Sequence, residues 1–221
     1  GGDHQVEGDS GNRLGYAVAI IQDADGDFLP DVVAISERDD TLGFDAGRIF
    51  FYSGADILAD PTNVEIRQPL NWPVKSGGQR FGSSVALAPD FNGDGNAALA
   101  VGAPLDIGSG FEEGSVSVYS SPGELVAIPP AQTIEDMPYT SSSDFFGESL
   151  AADGDFDGDG LPDLAVVARV DHRPGSFASS VYFTEPGAPA SCSGGASDVG
   201  SLSIYKGLSN GSFSPNPVFV F

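Results

Sequence analysis

Apolar residues along this chain come in short runs, punctuated by Gly, Pro, Asp and Ser. Val, Ile, Phe and Tyr dominate the runs, the composition that pleated strands favour. Gly114-Ser115-Val116-Ser117-Val118-Tyr119 and Gly200-Ser201-Leu202-Ser203-Ile204-Tyr205 alternate strictly. That places Val116, Val118, Leu202 and Ile204 on one face of a strand and Ser on the other. Thirty Gly and sixteen Pro in 221 residues recur too often to leave room for long helices. No apolar stretch approaches the ~20 residues of a membrane-spanning helix. The pattern predicts an all-β chain with no membrane span in this segment.

The runs repeat, and the repeat decides the architecture. Three segments open on Leu14-Gly15, Phe81-Gly82 and Phe146-Gly147, and each reaches an Asp eight residues after its Gly, at Asp23, Asp90 and Asp155. The starts lie 67 and 65 residues apart. Apolar strands follow at Val32–Ile35, Leu99–Val101 and Leu164–Val167, and third strands at Gly47–Tyr52, Gly114–Tyr119 and Gly200–Tyr205. Looser fourth strands are expected around Val64–Ile66, Gln132–Ile134 and Val218–Val220. Four meandering antiparallel strands per unit make a β-propeller blade. We divide the chain into an N-terminal segment 1–11, blade 1 at 12–78, blade 2 at 79–143 and blade 3 at 144–221. Blade 3 carries a long insertion at 170–199.

The Phe-Gly start, the Asp loop, Gly102-Ala103-Pro104 and the Gly-x-Val-x-Val-Tyr strand together resemble the FG-GAP repeat of integrin α-subunit propellers. The resemblance covers nearly all of residues 12–221. Leu14 replaces the Phe in the first unit, and Ala34-Ile35-Ser36 and Val167-Ala168-Arg169 stand where the second has Gly-Ala-Pro. It implies that the Asp loops join the first two strands of a blade and act structurally. It also implies that loops like 170–199 lie on the opposite face and contact ligand.

The Asp loops read as metal sites. Asp155, Asp157, Asp159 and Asp163 follow D-x-D-x-D-G-x-x-D. Carboxylates at positions 1, 3 and 5 converge when such a loop curls around an ion, the carbonyl of Leu161 at position 7 adds an oxygen, and Asp163 closes the site. Calcium, which takes about 6–8 oxygen ligands in flexible geometry, suits this set better than magnesium. The first loop keeps Asp23, Asp25, Asp27, Leu29 and Asp31, with Phe28 where Gly is usual. The second keeps Asp90, Asn92, Asp94 and Asn96, but Ala98 replaces the closing Asp, so weaker binding is expected there. An EF-hand would need Glu at position 12, where Ala34, Val101 and Val166 stand.

Nine Lys plus Arg against thirty-two Asp plus Glu give a net charge of −23. That balance argues against nucleic acid, whose phosphates would be repelled. It fits cation binding or calcium-rich surroundings, and also simple solubility. Cys192 is the only cysteine, so neither an internal disulfide nor a Cys-based zinc site is available. The chain opens Gly1-Gly2-Asp3 without an initiator Met, as a processed or trimmed N-terminus would. His4 and His172 fall in no triad or zinc spacing, there is no Gly-x-Ser-x-Gly elbow, and Trp72 reads as interblade packing rather than a sugar platform.

We therefore expect no enzyme. The expectation is a calcium-binding adhesion, recognition or assembly module, extracellular or at the cell surface. Its partners would be a protein or glycan ligand, or further copies of itself, and it should not exist as a free monomer but as a piece of a larger ring or stacked against further copies. Alternatives are an accessory module of a secreted hydrolase or lyase, and a self-assembling fibre subunit.

Overall fold

The computed structural model describes residues 11–21, 23, 27–41, 43–60, 78–89, 97–107, 113–119, 130–135, 144–171, 182–183 and 199–220. The strand expected at 64–66 lies outside them, as do Trp72, both histidines and Cys192. Within them the chain is nearly all β.

Three antiparallel sheets follow one another along the chain. The first pairs β1 (Leu14–Ile21), β2 (Asp31–Ser36) and β3 (Arg48–Tyr52) in sequence order. A short helix, α1 (Gly54–Ala59), leaves its edge. The second pairs β4 (Ser84–Ala88), β5 (Ala98–Ala103), β6 (Ser115–Tyr119) and β7 (Gln132–Glu135), a complete four-stranded meander. The third contains β8 (Phe146–Gly154), β9 (Asp163–Asp171) and β11 (Val199–Tyr205), and beyond them β14 (Phe219–Val220). Between β11 and β14 the chain makes a hairpin of β12 (Gly207–Leu208) and β13 (Ser212–Phe213). The insertion returns to the same sheet: β10 (Tyr182–Phe183) pairs with β14 and adds a fifth strand at the outer edge. These are propeller blades, antiparallel sheets whose strands run in chain order apart from the added β10.

The sheets stack face to face, and two cores lie between them. Ile21, Val33, Ile35, Ile49 and Phe51 of the first blade meet Phe81, Leu99, Val101, Ala103 and Tyr119 of the second. The opposite face of the second blade, with Ala86, Ala88, Ala100, Val116, Val118 and Ile134, meets Phe146, Leu164, Val166, Ala168 and Tyr205 of the third. Covered on both sides, the second blade buries every residue of β5 and β6. The serines that alternate with valine on β6 therefore face another blade rather than water. Ser115 and Ser117 are fully buried, and their small side chains let the first blade approach.

The Phe-Gly start is the latch between blades. Phe81 N–H donates to Ala46 O at 3.0 Å, and Phe146 N–H to Glu113 O at 3.1 Å, while both rings are fully buried. Gly147 rests against Gly102, where a Cβ on Gly102 would lie 2.0 Å from Gly147 O. One interface earlier, Gly82 rests against Ile35 in the same way. This pairing corrects the sequence alignment by one residue. Ile35, not Ala34, occupies the place of Gly102, so Glu37 stands where the second unit has Pro104. Glu37 is buried and ion-paired to Arg13 at 2.8 Å.

Candidate metal centre

The Asp loops sit where the strand pattern puts them, joining β1 to β2 and β8 to β9. Both curl through the same backbone hydrogen bonds. In the third blade Asp155 accepts from Asp159 N–H at 3.1 Å on one oxygen and from Gly160 N–H at 2.8 Å on the other. In the first, Asp23 accepts from Asp27 N–H at 3.0 Å and from Phe28 N–H at 2.7 Å. Leu161 N–H donates to Asp159 at 2.9 Å, and Leu29 N–H to Asp27 at 2.8 Å. The first Asp gathers the N–H groups of the turn, as Asx turns do, and the turn holds the later carboxylates in place. Position 6 of both loops has positive φ, 90° at Gly160 and 69° at Phe28. The Phe in the first loop thus adopts the left-handed backbone its neighbour takes with Gly.

In the third loop the carboxylates of Asp155, Asp157 and Asp159 converge, with one oxygen from each lying within 4.8 Å of the others. All three are exposed. A cation already stands between two of them. Lys206 Nζ lies 2.6 Å from Asp157 Oδ2 and 2.7 Å from Asp159 Oδ2. Hydrogen bonds to Asp157 and Asp159 hold the ammonium pKa well above its ordinary value. The Lys206 hydrogen bond, then the Leu161 N–H, hold Asp159 below the usual carboxylate range.

The closing aspartates have partners of their own. Asp163, buried, accepts from Phe156 N–H at 2.8 Å and from Gly207 N–H at 2.9 Å. Asp31, also buried, accepts from Gly54 N–H at 2.8 Å. Each pins the loop to the residues just past the third strand. There a glycine is required, because a Cβ on Gly54 or Gly207 would lie 2.1 or 2.2 Å from the carbonyl of Pro30 or Pro162.

Three-carboxylate convergence suits a hard divalent ion, and the ammonium between Asp157 and Asp159 shows that this donor set accepts positive charge. Asp25 and the second loop's Asp90, Asn92, Asp94 and Asn96 lie outside the described residues. Ala98 is the first residue of β5, buried.

Sequence reasoning missed Lys206, Ser53, Gly54 and Gly207, which lie many residues from their loops. A signal for them existed. Leu-Pro-Asp at 29–31 and 161–163 accompanies Tyr-x-Gly at 52–54 and 205–207. In the second unit the corresponding residues are Asn96-Ala97-Ala98 and Tyr119-Ser120-Ser121, and both halves of the contact are gone together.

Stacked antiparallel blades, latched at Phe-Gly and carrying Asp loops between their first two strands, define an FG-GAP β-propeller module. A family model described as the FG-GAP repeat matches residues 81–119 and 146–183. The chain is 34% identical over 183 residues to Integrin alpha-PS5 of Drosophila melanogaster, covering 80% of this chain and 16% of that protein. Against Integrin alpha-IIb of Mus musculus it is 30% identical over 192 residues, 83% of this chain and 17% of the relative. Integrin alpha-E of Mus musculus matches at 27% over 168 residues, 75% and 14% respectively. The chain belongs to the integrin-α-like FG-GAP family, and it spans about a sixth of the length of these relatives.

Proposed function

We propose that the loops at 23–31 and 155–163 bind calcium, and that the blades form a calcium-stabilised recognition module outside the cell or at its surface. The convergence of Asp155, Asp157 and Asp159, two of which already hold a cationic group, carries the reading. Asp23, Asp25, Asp27, the Leu29 carbonyl and Asp31 would hold the ion in the first loop. Asp155, Asp157, Asp159, the Leu161 carbonyl and Asp163 would hold it in the third. Each oxygen of Asp163 has a second lone pair beyond the hydrogen bond it accepts. In the second loop Asp90, Asn92, Asp94 and Asn96 would form a weaker site.

The partner is a protein or glycan, not nucleic acid, and the module is not an enzyme. The −23 charge and the relationship to integrin α chains support this. The insertion 170–199 is the proposed contact surface, since it is the long loop of the chain and extends the third sheet through β10.

A ligand bound only by the native state raises its stability by mass action. The transition temperature should therefore fall in EDTA and recover in calcium, and an unchanged temperature would sink the calcium reading. In isothermal titration, Asp157→Ala should cost more calcium affinity than Asp94→Ala, because the second loop already lacks its closing carboxylate.

A further inference from the structure

We infer that Lys206 is a tethered counter-cation of the third Asp loop and lowers that loop's affinity for divalent ions. The inference rests on the calcium reading above. Lys206 follows Tyr205 at the end of β11, and its ammonium bridges Asp157 Oδ2 and Asp159 Oδ2 at 2.6 and 2.7 Å. A metal–oxygen distance to calcium is about 2.3–2.6 Å. An ion held by those two oxygens and the ammonium would therefore need nearly the same place. Two positive centres do not share it, so ion entry requires the lysine to swing out. Its side chain is about one-third exposed, which leaves it water to swing into.

The first loop supplies the comparison within one molecule. There the residue after the strand-ending tyrosine is Ser53, whose hydroxyl donates to Asp27 Oδ2 at 2.9 Å. Asp27 and Asp159 hold the same place in their loops, and both use Oδ2 toward the residue after the tyrosine. Where the third blade puts a positive charge, the first puts a neutral hydroxyl. The third loop's charge is already partly compensated, so the third blade holds its loop together with or without an ion.

The two effects of the lysine have opposite signs, which makes them separable. Without calcium it relieves repulsion among three carboxylates; with calcium it is a competitor. Surface ion pairs of this kind are individually weak, so two of them correspond to roughly a three- to ten-fold change in an equilibrium constant.

The test uses Lys206→Met in the whole chain, with Asp23→Ala added to both proteins so that the third loop dominates titration. Calcium affinity should rise about three- to ten-fold over the parent. The transition temperature in EDTA should fall below the parent's, and the gap should close or reverse in saturating calcium. Ser53→Lys, made in an Asp157→Ala background, should weaken the first loop by a similar factor. Affinity unchanged or lowered by Lys206→Met overturns the inference while leaving the calcium reading intact. If Lys206→Met lowers the transition temperature equally in EDTA and in calcium, and neither protein titrates, the calcium reading for this loop falls and the competition falls with it.

Discussion

Phe28 shows how one side chain reports on a loop's geometry. Its φ of 69° is the angle at which Gly160 serves the third loop, and the ring is 93% exposed. A bulky residue held there costs about 1–2 kcal/mol of backbone strain. Nothing is recovered by packing, because the ring is in water. Glycine removes the strain but gives back about 0.5–1 kcal/mol of chain entropy. Phe28→Gly should therefore stabilise the protein by roughly 0.5–1 kcal/mol, read as a higher urea midpoint at unchanged slope. A lower midpoint would mean that the ring has a contact that outweighs its strain. The anomaly was legible beforehand, since Phe28 interrupts an otherwise regular Asp-Gly pattern. The tie from Asp31 to Gly54 was not, because a carboxylate read as a metal ligand by spacing gives no hint of a hydrogen-bond partner 23 residues away.

At the scale of elements, the strand pattern was legible because each run carried its own turn residues and the register repeated. The packing of those strands was harder to read. Alternation of Ser and Val on β6 looks like one wet face, yet both faces are buried. The information lies in the neighbouring blade. The Gly-Ala-Pro signature has the same origin: its Gly102 exists for Gly147, 45 residues on. A methyl at 102 would lie 2.0 Å from Gly147 O and 2.4 Å from Ser84 Oγ, whose hydroxyl donates to Gly147 O. Backbone cannot yield there without parting the blades. Gly102→Ala should thus destabilise by about 2–4 kcal/mol, in the range of overpacking plus a lost buried hydrogen bond. Chemical denaturation gives the value, and a loss below about 0.5 kcal/mol would show that the interface shifts freely. Gly15, which holds in the first repeat the place of Gly147, has open space where its Cβ would go, so only its φ of 86° asks for glycine there.

The whole molecule poses a question of closure. Both interblade cores pair the same two kinds of face, so among the described residues one face of each kind has no partner blade. On the first blade the open face carries Tyr16, Val18 and Ile20, exposed to 52%, 64% and 69%. On the third blade the open face carries Ala151, exposed, with Ala165, Val167 and Leu202 half-buried. Each square ångström of apolar surface covered is worth about 25 cal/mol, and the two open faces are complementary in kind. We propose that further blades cover them, either those of a larger ring to which these residues belong or those of further copies joined head to tail. Two copies close a six-blade ring, within the about 4–8 blades that propellers use, while a rotation that does not close makes a fibre. The −23 charge opposes association until calcium neutralises part of it, so chelation should loosen the assembly. Sedimentation in calcium should show a dimer or larger, shrinking in EDTA. Val18→Glu should shrink it in calcium as well, by placing a charge in the centre of the face. A compact particle of 22.7 kDa in calcium, the mass of one chain, would overturn the proposal.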